Sequence, residues 1–175
     1  SITSYKPAEG TNLDNYNITK GNGSLEVTAS QKAVIVKVEG NTNTQKYDGT
    51  VKSVSGFTVA DVTIDGQEST LYGAVAGTDF TFSGNANAAR TNAGTTYMGL
   101  EAGQFVNVNK NFSNVTFEVE DGSMTVTKRA VTLTSATDKK TYDGTALTNN
   151  TVTVFGDGFA TGQGFTPNVT GSQTN

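Results

Sequence analysis

The sequence predicts a mainly β protein built as tandem immunoglobulin-like β-sandwich modules, and three observations carry that prediction. Hydrophobic residues make up 34% and charged residues only 16%, the remainder being rich in Thr, Asn, Ser and Gly. That is the profile of short strands and many turns, not of helices with ion-paired faces. Apolar and polar residues alternate in short runs closed by Asn-Gly or Asp-Gly. The chain also repeats itself: Tyr-Asp-Gly-Thr occurs in "TQKYDGTVKS" (44–53) and again in "KKTYDGTALT" (139–148). A β-grasp module is the alternative, and it requires one short helix laid across the sheet.

Taken in order, "NLDNYNITKGNGSLEVT" (12–28) reads as an Asn-rich strand, a turn at Asn22-Gly23 and a second strand over "SLEVT". Further strands are expected at 33–38, 51–59, 79–83, 95–100, 130–135 and 151–155. "GLEAGQF" (99–105) has the composition for at most one helical turn. "VTFEVE" (115–120) alternates strictly, with Val115, Phe117 and Val119 on one face and Thr116, Glu118 and Glu120 on the other; this is a half-buried strand. Asp121-Gly122 supplies a φ > 0 turn that closes a hairpin onto "SMTVT". Lys128-Arg129 joins two strand runs without a Gly, Pro or Ser spacer, which predicts a stiff junction.

The repeat extends beyond the tetrapeptide. Asn12, Asn15, Gly23, Ser24, Val27 and Thr28 fall without a gap on Asn111, Asn114, Gly122, Ser123, Val126 and Thr127. "QKAVIVKV" (31–38) matches "KRAVTLTS" (128–135), each just after the Gly-Ser strand. The order is the same both times, which describes modules somewhat under about 100 residues each. Residues 1–28 read as the C-terminal half of a preceding repeat, 29–127 as a complete central module, and 128–175 as the N-terminal half of a following repeat. The two halves are complementary, so head-to-tail self-association through 1–28 and 128–175 is expected.

"KKTYDGTALTNNTVTV", taken with "NYNITKGNGSLEVT" and "NVTFEVEDGSMTVTKR", resembles the YDG and MBG repeat families of bacterial, Firmicutes-type adhesin-like surface proteins. The resemblance covers nearly the whole chain. It implies an extracellular, cell-wall-associated Gram-positive array with no catalytic residue, whose partners are adjacent repeats of the same protein. In this reading Tyr47, Asp48, Gly49 and Thr50, and Tyr142, Asp143, Gly144 and Thr145, form a structural motif. Asp-Gly gives a tight turn, the carboxylate accepts backbone N–H groups, and the tyrosine packs its ring on the sheet while its hydroxyl finds a backbone partner.

Composition narrows function further. There is no His and no Cys, so the usual general base, thiol nucleophiles and zinc sites are absent. A net charge of -4 with scattered lysines offers no basic stripe for nucleic acid. No run approaches the ~18–20 apolar residues of a membrane span, and no leader is visible. No enzyme activity, cofactor or metal is expected. Asp61 with Asp65, or Glu118 with Glu120, could pair for glycoside hydrolysis, but alternating outward Glu is what any solvated strand face shows. The acidic residues lack calcium-loop spacing. The Asn-x-Thr/Ser triplets at Asn17, Asn22, Asn111, Asn114, Asn149 and Asn168 are a by-product of composition. Tyr72, Phe80, Phe82 and Tyr97 could stack on sugars, but the Phe80/Phe82 alternation points that pair to the core. A Lys–Asn cross-link would draw on Lys37, Asn107 or Asn109, and Glu118. The function expected is therefore a stalk or spacer module. The alternative is a module that binds host glycan or matrix protein through the long 59–80 loop region.

Overall fold

Alternation of buried valines with outward polar residues sets the first strand of the central module. In the computed structural model, which describes residues 2–174, β1 (Val34–Gly40) buries Val34, Val36 and Val38 almost completely. It lies between antiparallel β4 (Phe57–Ile64) and parallel β10 (Val115–Glu120), and β5 (Gln67–Glu68) extends the sheet beyond β4. In the second layer β11 (Ser123–Thr127) is flanked by parallel β2 (Thr42–Lys46) and antiparallel β8 (Gly94–Tyr97). Two short ladders complete the module: β3 (Lys52–Ser55) with β7 (Asn87–Arg90), and β6 (Phe80–Phe82) with β9 (Phe105–Asn107). Beyond it, β12 (Val131–Ser135) and β13 (Val152–Gly156) form a separate antiparallel pair.

The layers enclose a phenylalanine-rich core. Phe57, Phe80, Phe82, Phe105 and Phe117 pack with ring centroids 4.9–5.9 Å apart, a spacing at which edge-on and offset rings attract. A second cluster of Ala88, Met98, Leu100, Met124 and Val126 joins the first through Phe57, Phe82 and Val119. The chain is thus mainly β and sandwich-like. The helix that a β-grasp module requires is not realised: the described residues hold only two three-residue 3-10 turns, Leu13–Asn15 and Ala102–Gln104. The second of these falls within 99–105, where one turn was expected.

Several local expectations are corrected. The 51–59 strand is broken at Gly56, whose φ of 87° takes the chain from β3 to β4 in a different ladder. Asp121-Gly122 is not a hairpin. There β10 leaves one sheet and β11 enters the other, alongside β1 and β2, which change sheets at Gly40-Asn41. The reason is packing. A Cβ on Gly122 would stand 2.5 Å from the Asn41 carbonyl oxygen and 2.8 Å from Met98 Sδ, so glycine allows two chain corners to touch. Asp121 instead accepts the backbone N–H groups of Gly99 and Leu100, both at 3.0 Å. A true two-residue Asp-Gly hairpin occurs at Asp65-Gly66, joining β4 to β5 with φ of 51° and 79°, as a type I′ turn requires.

The strands expected within 12–28 do not form. Among the described residues before Ala29 there is one 3-10 turn and no ladder, and Leu25 and Val27 are fully exposed. A strand needs a partner for its N–H and C=O groups, and among the described residues no strand pairs with that segment. Ser1 and Asn175, the outer limits of the predicted half-repeats, lie outside the described residues.

Candidate functional site

The two Tyr-Asp-Gly-Thr segments fold the same way locally. Asp48 Oδ1 accepts the Thr50 backbone N–H at 2.9 Å and the Thr50 hydroxyl at 2.7 Å. Asp143 Oδ1 accepts the same pair from Thr145 at 2.9 and 2.8 Å. Gly49 and Gly144 supply φ of 88° and 79°, which a side chain would strain. Each carboxylate also meets a lysine, but from opposite sides in sequence. Lys52 Nζ is 2.5 Å from Asp48 Oδ2, and Lys140 Nζ is 2.8 Å from Asp143 Oδ1. The Lys52 hydrogen bond, then those of Thr50, hold Asp48 well below the usual carboxylate range. Lys140 and Thr145 lower Asp143 to about 2.

The tyrosines differ. Tyr142 is exposed. Tyr47 is half-buried, and its backbone N–H donates to Thr127 O at 2.9 Å. Its hydroxyl accepts a bond of 2.6 Å from the side chain of Gln163, not from backbone. This reach across the chain marks the junction between the central module and the strands that follow. Arg129 is its centre: Nε donates to Gly158 O at 2.7 Å, Nη1 to Tyr47 O at 3.3 Å, and Nη2 to Asp157 O. One guanidinium fork thereby binds carbonyls from both sides of the joint, a geometry that its planar array of donors suits.

Asp157 closes the junction from the other direction. Its carboxylate accepts Lys46 Nζ at 2.6 Å and the Ala130 backbone N–H at 2.9 Å, while its own N–H donates to Ala130 O at 2.7 Å. The Lys46 bond, then the Ala130 N–H, pull its ionisation below the ordinary value, with Arg129 adding to the effect. Ala160 is buried beneath, and a shallow cleft of about 370 Å³ lies over Tyr47, Arg129, Phe159 and Gln163. Composition at Lys128-Arg129 signals a joint without a flexible spacer. The roles of Asp157 and Gln163 have no local signal, because they lie about 30 residues further on and arrive only through the β12–β13 pairing.

The 59–80 region is mostly folded into the module. Residues to Ile64 belong to β4, and Tyr72 and Phe80 are each 1% exposed. Tyr72 donates to Asp79 O at 2.9 Å. The Asp79 carboxylate accepts the Val75 N–H at 2.9 Å and Asn109 Nδ2 at 2.6 Å. Asn107 Oδ1 lies 3.1 Å from the Tyr72 hydroxyl and is also 3.1 Å from the Asn109 backbone N–H. Burial, reinforced by the Asp79 charge, pushes the Tyr72 hydroxyl up to about 12. A cleft of about 410 Å³ adjoins this network at Tyr72, lined by Val59 to Val62, Ser69, Thr70 and Gly73 among others.

The other candidates are scattered. Asp65 sits in its hairpin, where it accepts the Ala33 N–H at 3.0 Å and meets Lys32 at 3.3 Å. Asp61 and Glu118 occupy strands on either side of exposed Lys37, each in register with it. Asn107 gives its amide to Phe112 O at 2.8 Å, and Asn109 gives its amide to Asp79, so both asparagine amides are bonded to groups other than Lys37. Of the four aromatics considered for stacking, Tyr72 and Phe80 are buried, Phe82 packs in the core, and Tyr97 stands exposed. Comparison with known proteins finds the family model for the MBG domain matching residues 33–128. No curated protein and no solved structure matches.

Proposed function

The chain belongs to the MBG domain family, and from that premise we propose that it is a non-catalytic repeat segment of an extracellular, cell-wall-associated, adhesin-like surface protein, serving as a stalk or spacer. The observation that carries the reading is the Arg129 fork, which ties Tyr47 of the central module to Asp157 and Gly158 of the following strands. A spacer transmits position only if its joints resist bending. Three hydrogen bonds from one side chain, with the Lys46–Asp157 pair beside them, restrain rotation at this joint in a way that a Gly/Ser linker cannot. The adjacent repeats are the partners this role requires.

Small-angle scattering tests the reading. The chain should give a single narrow distribution of maximum dimension, and Gly-Ser-Gly-Ser inserted between Thr127 and Lys128 should broaden it. A parent protein as broadly distributed as the insertion variant would overturn the spacer role. The second reading is host glycan or matrix binding through 59–80. It is favoured by the cleft beside Ser69 and Thr70, with Leu71 and Val75 exposed nearby. A glycan array hit lost in Thr70→Lys, with the melting temperature unchanged, supports it.

A further inference from the structure

Strand β4 is paired along one edge and open along most of the other. Its eight residues lie against β1 from Phe57 to Ile64, but β5 covers the opposite edge at Thr63 and Ile64 alone. The last bond on that side runs from the Ser69 N–H to Val62 O at 3.2 Å. After Ser69 the chain leaves the sheet and buries Tyr72. Among the described residues no strand pairs with β4 on that side from Thr58 to Asp61. The departure opens the cleft of about 410 Å³, with residues 59–62 of β4 as one wall and Ser69, Thr70 and Gly73 in the other. Both walls fall within 33–128, the residues matched by the family model, so the gap is internal to the domain.

A strand edge recognises one kind of chemistry. Its N–H and C=O groups repeat along the strand, and another extended backbone is what matches that spacing. The side chains around the cleft then select which backbone. Ile64 is buried, so Thr63 faces outward with its partner Glu68, and Asp61, two residues before Thr63, faces the same way. Neither carboxylate is hydrogen-bonded or ion-paired among the described residues. Half-buried Val59 and Val62 line the cleft, and Leu71, between the lining residues Thr70 and Tyr72, is 79% exposed.

We propose that this open edge of β4 binds a short extended peptide of another protein by strand addition. The peptide alternates apolar residues, turned towards Val59 and Val62, with basic residues beside Asp61 and Glu68. The proposal refines the second reading above, binding through 59–80, and rests on that reading for the region involved.

Two features disfavour a second copy of the same edge as the occupant. Asp61 and Val59 stand opposite the adjacent residues Lys37 and Val38, so Ala60 is an extra residue in β4. Such a bulge bends the strand and turns its edge away from a long flat partner, whereas a short peptide can follow it. A second copy would also bring Asp61 and Glu68 against the same carboxylates, and like charges across a ladder repel. A lysine in the peptide meets them with the opposite charge.

NMR titration of the whole chain with blocked pentapeptides tests the proposal. Val-Lys-Val-Lys-Val should shift the amides of Thr58 to Val62, and Val-Glu-Val-Glu-Val should not. Successive residues of a strand turn their N–H groups to opposite edges. Methylating the backbone nitrogens of the lysines, or those of the valines, should therefore abolish binding in one case and spare it in the other. Asp61→Asn with Glu68→Gln should weaken binding by roughly 2- to 30-fold, the scale of two exposed ion pairs, at an unchanged melting temperature. The proposal is overturned by unshifted amides at 58–62, by equal binding of the acidic peptide, by equal effects of the two methylations, or by full affinity in the double variant. A glycan that shifts these amides where no peptide does would overturn the added strand while leaving binding at 59–80 in place.

Discussion

Replacing Arg129 with Ala removes the three donors that bridge the joint while leaving both flanking strands intact. Bonds from a charged donor contribute roughly 1.5–3 kcal/mol each when well shielded. Here the carbonyls are only part-buried, so water can replace the guanidinium, and the Nη1 bond is long at 3.3 Å. About 1 kcal/mol for each of the two closer bonds, and less for the third, gives a loss of about 2–3 kcal/mol. At about 1.4 kcal/mol per factor of ten, the open joint should become roughly 30- to 150-fold more populated. Native-state hydrogen exchange reads this directly. The Asp157 and Ala130 amides, which bond to each other's residues at 2.7 and 2.9 Å at the end of the β12–β13 pair that Arg129 clamps, should lose protection by that factor. Ladder amides of Val36 and Val38 should not change, since the β1 ladders lie outside the joint. Arg129→Lys should fall between, because one ammonium cannot present the planar fork. Unchanged exchange at Asp157, or equal loss in β1, would refute the assignment of the joint to Arg129.

Tyr72→Phe should lower stability by about 1 kcal/mol in urea denaturation, because it removes the buried hydroxyl that donates to Asp79 O, an acceptor that keeps the Val108 and Asn109 N–H groups. The same hydroxyl predicts a pH dependence. Its folded value of about 12 lies above the ordinary 10.0, so the folded state holds this proton more tightly, and stability falls as pH rises through the interval from about 10 to about 12; Tyr72→Phe should flatten that fall. Gly122→Ala should cost about 1–3 kcal/mol or more by thermal melting, since the atoms met by its Cβ are mainly backbone of the facing corner. Carboxyl NMR should find Asp143 titrating near 2, with Lys140→Ala raising it towards the ordinary 3.8. The ordering of that turn is then present above 3.8 and lost as pH falls through the folded value.

Strand content was legible because it rests on local chemistry. The alternation in 115–120 produces β10 with Phe117 buried, and the valine run at 33–38 produces β1. Asp-Gly followed by Thr dictates its own turn in both repeats, because the carboxylate, the Thr hydroxyl and the φ > 0 glycine lie within three residues of one another. Pairing was not legible. Alternation at 115–120 is equally compatible with a hairpin onto 123–127 or with a parallel neighbour 81 residues earlier, and only the meeting of Gly40 with Gly122 chooses the second. The same limit hid the use of Tyr47, whose hydrogen-bond partner Gln163 comes from beyond β13.

Composition, alternation and internal repetition thus determined by themselves that the chain is β, where most of its strands fall, and which segments are equivalent. Those properties depend on side-chain period and backbone propensity, which act over a few residues. Tertiary structure alone decided which equivalent segments are buried. The sequence marks Leu25 and Met124 as counterparts, yet Met124 has β2 and β8 on either side and Leu25 stands in solvent. Burial is a property of partners brought from afar, and a strand without an edge to join keeps its pattern while gaining none of its energy.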